Sequence, residues 1–337
     1  MSSIKIKRLT GRDIEILNTI YRYRTFTTNQ VFRLFFEKIE YCWKRLSYLK
    51  QDGYIESVPV VDHRGMKTTS AYYITPLGIK ALHENTASFM ETSNASDNRI
   101  PGRRLRYQID VNEVYTRLCK LSFLFWDSRE TKRHFNLDRN SSVNGYLITP
   151  DQHGIGLYVL SKDPEPLTIS RIAAELKKTT AMSSYLVLCK TLTAFQEMHE
   201  VIQRDSHTYP ADVRLLPYEP GLALLELMGT QAQIEQLYAQ YLPSVTRVQG
   251  EPFAYKSMDE EQTAYICELL SNSIKTRHQV FAYNPYEYQA HQCRLTVLAW
   301  EDEVDSLRFQ LTSYRHIKVI GISRTILTQY EQKGGLQ

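Results

Sequence analysis

Residues 43–55 read WKRLSYLKQDGYI. Leu46 and Leu49 stand three apart, the spacing of one helix face, while Lys44, Arg45 and Ser47 fall elsewhere around the same helix. Asp52-Gly53 then supplies a stop, because glycine enters the left-handed conformation that ends helices without a steric penalty. Tyr54 and Ile55 open the stretch YIESVPVV, whose β-branched residues favour a strand. A helix with cations outside and leucines inside that turns at once into a strand is the join between the recognition helix and the wing of a winged helix-turn-helix.

Working outward, the flanks supply the remaining pieces. Thr10-Gly11-Arg12-Asp13 has the Thr-x-x-acid form of a capping box. Ile14, Leu17, Ile20 and Tyr21 follow at helical spacing, which predicts a first helix that ends near Arg24. Thr28 is expected to cap a second helix with Val31, Leu34 and Phe35 on its inner side. A third helix over 39–51 should bury Ile39, Cys42, Leu46 and Leu49 and show Tyr41, Lys44, Arg45, Ser47 and Tyr48, with Trp43 read as a packing residue. Strands over 54–61 and 70–74 flank the turn DHRGMK (62–67), which carries a glycine and the cations Arg64 and Lys67. Thr75 caps, and Pro76 starts, a fourth helix over 77–83. The order is helix, helix, helix, strand, basic turn, strand, helix, and it assigns residues 1–86 to a winged helix.

Charge follows the same division. Residues 1–106 hold 18 Lys and Arg against 10 Asp and Glu, whereas residues 107–337 hold 23 against 27. A basic head on a slightly acidic body points to a polyanion as the partner of the head, here double-stranded DNA. The third helix would enter the major groove, with Lys44, Tyr41 or Ser47 at base edges and Arg45 and Tyr48 beside them. Arg64 and Lys67 on the wing, and Lys5, Lys7 and Arg8 before the first helix, would meet the backbone. A homo-oligomer is expected, since one module gives limited affinity and half-sites are commonly paired. Winged helices also serve as transcriptional regulators, which is the alternative reading.

Five scattered cysteines without a C-x-x-C pair suggest reduced thiols in a cytoplasm, not a zinc site or a disulfide frame. No run of about 18 apolar residues offers a membrane span, and MSSIKIKRLT lacks the apolar core of a secretory signal. Neither a phosphate-binding loop nor a dinucleotide fingerprint occurs, so no cofactor and no metal is expected.

The segments LTGRDIEILNTIYRYRTFTTNQVFRLFF, KRLSYLKQDGYI and YYITPLGIKAL, in that order, resemble the replication-relaxation family of plasmid and mobile-element proteins. The resemblance continues weakly through LRYQIDVNEVYTRL and TPDQHGIGLYVLS. It implies a role in replication or mobilisation of a plasmid, phage or integrative element, other replication or transfer proteins as partners, and an abbreviated nuclease-like core behind the head.

Residues 87–104, rich in Ser, Asn and Thr, read as a linker. A helix with Leu105, Ile109, Val111, Val114, Leu118 and Leu121 should then pack on the body. Two βαβ-sized patterns follow: strand 157–160, helix 167–178 and strand 185–189, then strand 294–300, helix 304–314 and strand 317–322. A strand at 213–217 and helices at 230–242 and 259–275 would complete the body. The expected class is therefore α+β or α/β: a winged head, an α/β domain over 105–245 and a second α/β lobe over 246–330, nuclease-like but degenerate, or simply two-lobed.

Catalysis has weak candidates only. A PD-(D/E)xK nuclease needs a metal-holding acid pair and a lysine near the attacking water. Pro150-Asp151 and Lys162 are spaced for it, but Leu160 stands where the second acid belongs, leaving Glu175 as a substitute. One carboxylate holds Mg²⁺ weakly. No two of the nine histidines lie two positions apart, as a metal-dependent nicking relaxase would want. His291-Gln292-Cys293-Arg294, with His316 and Tyr330, matches the H-x-x-R spacing of tyrosine recombinases, yet Arg294 leads into the strand-like LTVLAW.

Overall fold

The structure is a computed structural model that describes residues 9–61, 65–100, 102–204, 206–259 and 262–328 of the 337. The chain divides into two compact units, residues 1–120 and 121–337.

The first unit begins with α1 (Gly11–Tyr23), β1 (Phe26–Thr27), α2 (Thr28–Phe35) and α3 (Ile39–Gln51), followed by β2 (Ile55–Val61), β3 (Lys67–Ile74) and α4 (Pro76–Asn85). The Thr10–Asp13 capping box forms as its spacing predicts. The cap of α2 is Thr27, not Thr28: Thr27 and Gln30 make a second capping box, and Thr28 lies one residue inside the helix, buried. The sheet order is β1-β3-β2, all antiparallel, with Phe26 opposite Tyr72 and Ile55 opposite Ile74. Two-residue β1 escaped the sequence because so short a strand has no periodicity of its own.

The turn after α3 answers the opening stretch. Gly53 N–H donates to Lys50 O at 3.1 Å and Tyr54 N–H to Leu49 O at 3.0 Å, the paired bonds of a Schellman motif. Gly53 has φ +81°, a value that burdens any residue with a Cβ. Thr75 caps α4, and Gly78 in its first turn lies so close to the Tyr54 carbonyl that a Cβ there has no room.

After α4 come α5 (Ala95–Asn98) and α6 (Arg103–Leu118). The stretch between α4 and α6 is tied to the first unit: Tyr21 Oη accepts from Thr92 N–H (2.7 Å) and Ser93 N–H (3.0 Å), and Tyr73 Oη donates to Ile100 O (2.9 Å). Helix α6 packs on the head, where its apolar positions alone suggested the body. Asn112 donates to the carbonyls of Tyr23 and Thr25, Arg33 pairs with Glu113, and the Tyr115 ring lies 4.4 Å from that of Tyr23.

The second unit contains β4 (Leu124–Asp127), α7 (Ser128–His134), β5 (Gly145–Ile148), β6 (Gly154–Leu160), α8 (Pro166–Lys178), β7 (Ser184–Cys189), α9 (Leu192–Arg204) and β8 (Asp212–Pro217). Two helices, α10 (Tyr218–Met228) and α11 (Gln231–Tyr241), lead to β9 (Thr246–Arg247), β10 (Tyr255–Asp259), β11 (Gln262–Glu268), α12 (Ile274–Ala282), α13 (Pro285–His291), β12 (Arg294–Trp300), α14 (Val304–Gln310) and β13 (Ile317–Ile322). The expected βαβ echo is present: β6 pairs β7 and β12 pairs β13, both in parallel.

The echo extends further than the sequence indicated. One sheet runs β4-β5-β6-β7-β8 and the other β9-β10-β11-β12-β13, each in chain order. In both, the first three strands are antiparallel and the last three parallel, so the same five-strand arrangement occurs twice. Making the second copy requires one correction: residues 262–268, QTAYICE, belong to a strand and not to a helix over 259–275. The charged MDEE (258–261) before them reads as a helix start, but burial between β10 and β12 favours the β-branched and aromatic residues that follow. Each parallel half packs an apolar core against its helices, with Tyr158, Leu176, Val187 and Met198 in the first and Cys267, Val280, Val297 and Leu307 in the second.

Candidate nucleic-acid interface

Helix α3 owes its orientation to its inner face. Cys42, Leu46 and Leu49 are completely buried, and burying each leucine contributes on the order of 2 kcal/mol, enough to hold one face inward. Burial also pushes the Cys42 thiol up to about 12, so it stays protonated as a small apolar filler. Ile39 is only half-buried.

The opposite face carries Lys44, Ser47 and Gln51, all exposed. Tyr41, 61% exposed, flanks them on one side, with Tyr48 half-buried beneath the Lys44 ammonium at 6.0 Å from the ring centre. Trp43, 57% exposed, and Lys50 flank them on the other. Trp43 is thus a surface residue, contrary to its reading as packing. A helical wheel would have found it, since 43, 47 and 50 share a stripe.

Arg45 has a different occupation. Its guanidinium makes two hydrogen bonds to the Asp13 carboxylate, whose side chain is fully buried. Burial raises the Asp13 pKa, but the Arg45 and Thr10 hydrogen bonds outweigh it and hold the carboxyl below its usual value. Asp13 therefore closes the α1 cap and at the same time anchors α3. Arg12, beside it, extends its guanidinium over Phe36 at 5.1 Å and lines a groove with Tyr41, Lys44 and Tyr48. The sequence did not single out Arg12, because its neighbourhood to α3 is a long-range fact.

Lys67 is exposed at the start of β3. Arg64, Lys5, Lys7 and Arg8 lie outside the described residues, as does Tyr330.

The catalytic candidates do not converge. Asp151 sits in the hairpin turn between β5 and β6, where its carboxylate accepts the Gln231 N–H at the start of α11. Lys162 is exposed beyond the other end of β6. Seven strand residues at about 3.3 Å each separate them by roughly 20 Å. Glu175 is half-buried and already occupied: it accepts from Ser141 Oγ (2.9 Å), Ser142 N–H (2.8 Å) and Tyr158 Oη (3.1 Å). A carboxylate so occupied ties the β4–β5 connection to α8. No group of three His, Cys, Asp or Glu side chains suited to a metal ion occurs among the described residues. His316 of the H-x-x-R pattern is buried against the Tyr283 carbonyl, and Arg294 opens β12. No described helix is long and apolar enough to cross a membrane.

No curated protein and no solved structure matches the chain. Residues 17–178 match the family model described as Replication-relaxation, a span that takes in α2, α3, the β2–β3 hairpin and α6 and runs through β6 to the end of α8. Over that span, just under half of the chain, the protein is similar to the replication-relaxation family.

Proposed function

We propose that the first unit is a winged helix that binds double-stranded DNA in a sequence-dependent way, in the service of plasmid or mobile-element replication or mobilisation, the role the family suggests. The observation that carries this reading is α3: a rigid apolar back, formed by Cys42, Leu46 and Leu49, presents Lys44, Ser47, Tyr41 and Lys50 to solvent. A helix of 13 residues is about 20 Å long and of a width that enters the major groove. The β2–β3 hairpin with Lys67 contributes phosphate contacts. The body self-associates, which pairs two heads on two half-sites, and presents a surface for other replication or transfer proteins.

The test is a genome-wide map of the DNA that the protein occupies in its host. Repeats clustered at a replication or transfer origin are the expected result. Sites confined to promoters would make it a transcriptional regulator, and occupancy no different from untagged controls would remove DNA binding altogether.

A further inference from the structure

An indole on the outer face of a helix is unusual, since tryptophan is among the more buried residues on average. Of the three tryptophans, Trp300 is 4% exposed and Trp126 half-buried, whereas Trp43 is 57% exposed. Its ring stacks on no aromatic or cation and its indole N–H bonds nothing among the described residues. It is fixed all the same, because its neighbours Cys42 and Leu46 are completely buried and leave α3 no freedom to roll.

We infer that Trp43 is a specificity-determining residue that covers thymine methyl groups in the major groove. This rests on the DNA-binding reading above. Three features choose the occupant. Lys44, the next residue, and Lys50, two turns on along the same stripe, leave the surface beside the ring net positive despite Glu40 one turn before it, which suits a negatively charged occupant. Ser47, one turn along the same stripe, adds a donor and acceptor. In a polyanion of that kind, the C5-methyl group of thymine is the apolar element displayed at the depth a helix side chain reaches. An acidic protein surface would satisfy the cations without needing that methyl, which makes it a separable outcome.

The experiment uses the full chain. Duplexes are selected from a random pool, and each thymine of the selected duplex is then replaced in turn by uracil, which deletes only the methyl group. For the unaltered protein, one or two positions should weaken binding roughly fourfold, the factor for one buried methyl. For Trp43→Ala the same replacements should change nothing, while Trp43→Phe keeps part of the effect. Trp43 emission should shift to the blue on adding the duplex. Uracil replacements that weaken the protein and Trp43→Ala alike, or none that weaken either, overturn the inference. If Lys44→Ala still loses binding in that case, the DNA-binding reading survives it. Failure to select any duplex overturns both, and emission that shifts only with an acidic protein assigns the face to that class of partner.

Discussion

The polar faces of α3 and of α8 look alike in sequence and behave oppositely in the fold. On α8, Glu175 sits where a nuclease ligand was sought, and three donors from Ser141, Ser142 and Tyr158 consume it. On α3, Arg45 is consumed in the same manner by Asp13, but Lys44, Ser47, Tyr41 and Trp43 next to it face water. The difference shows where to look for function: a polar group whose partners lie inside the molecule stabilises the fold, and one that faces water is available to a ligand. Within one helix, neighbours 44 and 45 fall on opposite sides of that line.

Removing Arg45 should draw the line most sharply. Arg45→Ala leaves the Asp13 carboxylate buried without its counter-ion, a loss of about 3 kcal/mol, read as a lower midpoint in denaturant. The same pair predicts a pH dependence. Because Asp13 titrates below its ordinary 3.8 in the folded protein, its stabilisation is complete above that pH and is lost as the pH falls through the lowered folded value. Acid titration of stability should show this loss, and Arg45→Ala should flatten it. An unchanged acid limb would mean that the pair contributes nothing.

Next in size is Glu175→Ala. It strands the buried Tyr158 hydroxyl and the Ser142 N–H and should cost about 2 kcal/mol, with DNA affinity and any response to added Mg²⁺ unaltered. Cutting of DNA that needs Mg²⁺ and disappears in Glu175→Ala or Asp151→Ala would break the comparison outright. Lys44→Ala should do the reverse, leaving the melting temperature in place and lowering preference for a selected duplex over a random one by roughly tenfold. Smallest is Lys67→Ala. A phosphate contact should weaken all duplexes a few-fold and reduce the salt slope by about 1. Equal losses on selected and random DNA for both lysine variants would erase the distinction between base and backbone contacts.

What the sequence disclosed follows the range of the interactions involved. The Thr10–Asp13 box, the Asp52-Gly53 stop and the Thr75-Pro76 start depend on residues three or four apart, and all three form. The strands at 294–300 and 317–322 also stand where their β-branched runs place them. Contacts between distant segments were not legible. The Asp13–Arg45 pair spans 32 positions, and the packing of α6 on α2 depends on Gln30 and Arg33 meeting residues some 80 positions on. The sequence of β11 reads as a helix because its place between β10 and β12, not its local charge pattern, decides its conformation. For the site, a wheel of α3 exposes Lys44, Ser47 and Trp43 directly, whereas withdrawing Arg45 from that list requires knowing where Asp13 lies.

The proposed function sets the outer face of α3 against base edges in the major groove. Methylation interference tests it most directly: the selected duplex is methylated at guanine N7, an acceptor on the major-groove edge, and the bound and unbound fractions are compared. Methylation at one or two guanines should exclude the duplex from the bound fraction, and Lys44→Ala should no longer discriminate at one of them. Methylated and unmethylated duplexes binding equally well would contradict it and place the protein's contacts elsewhere than the major groove.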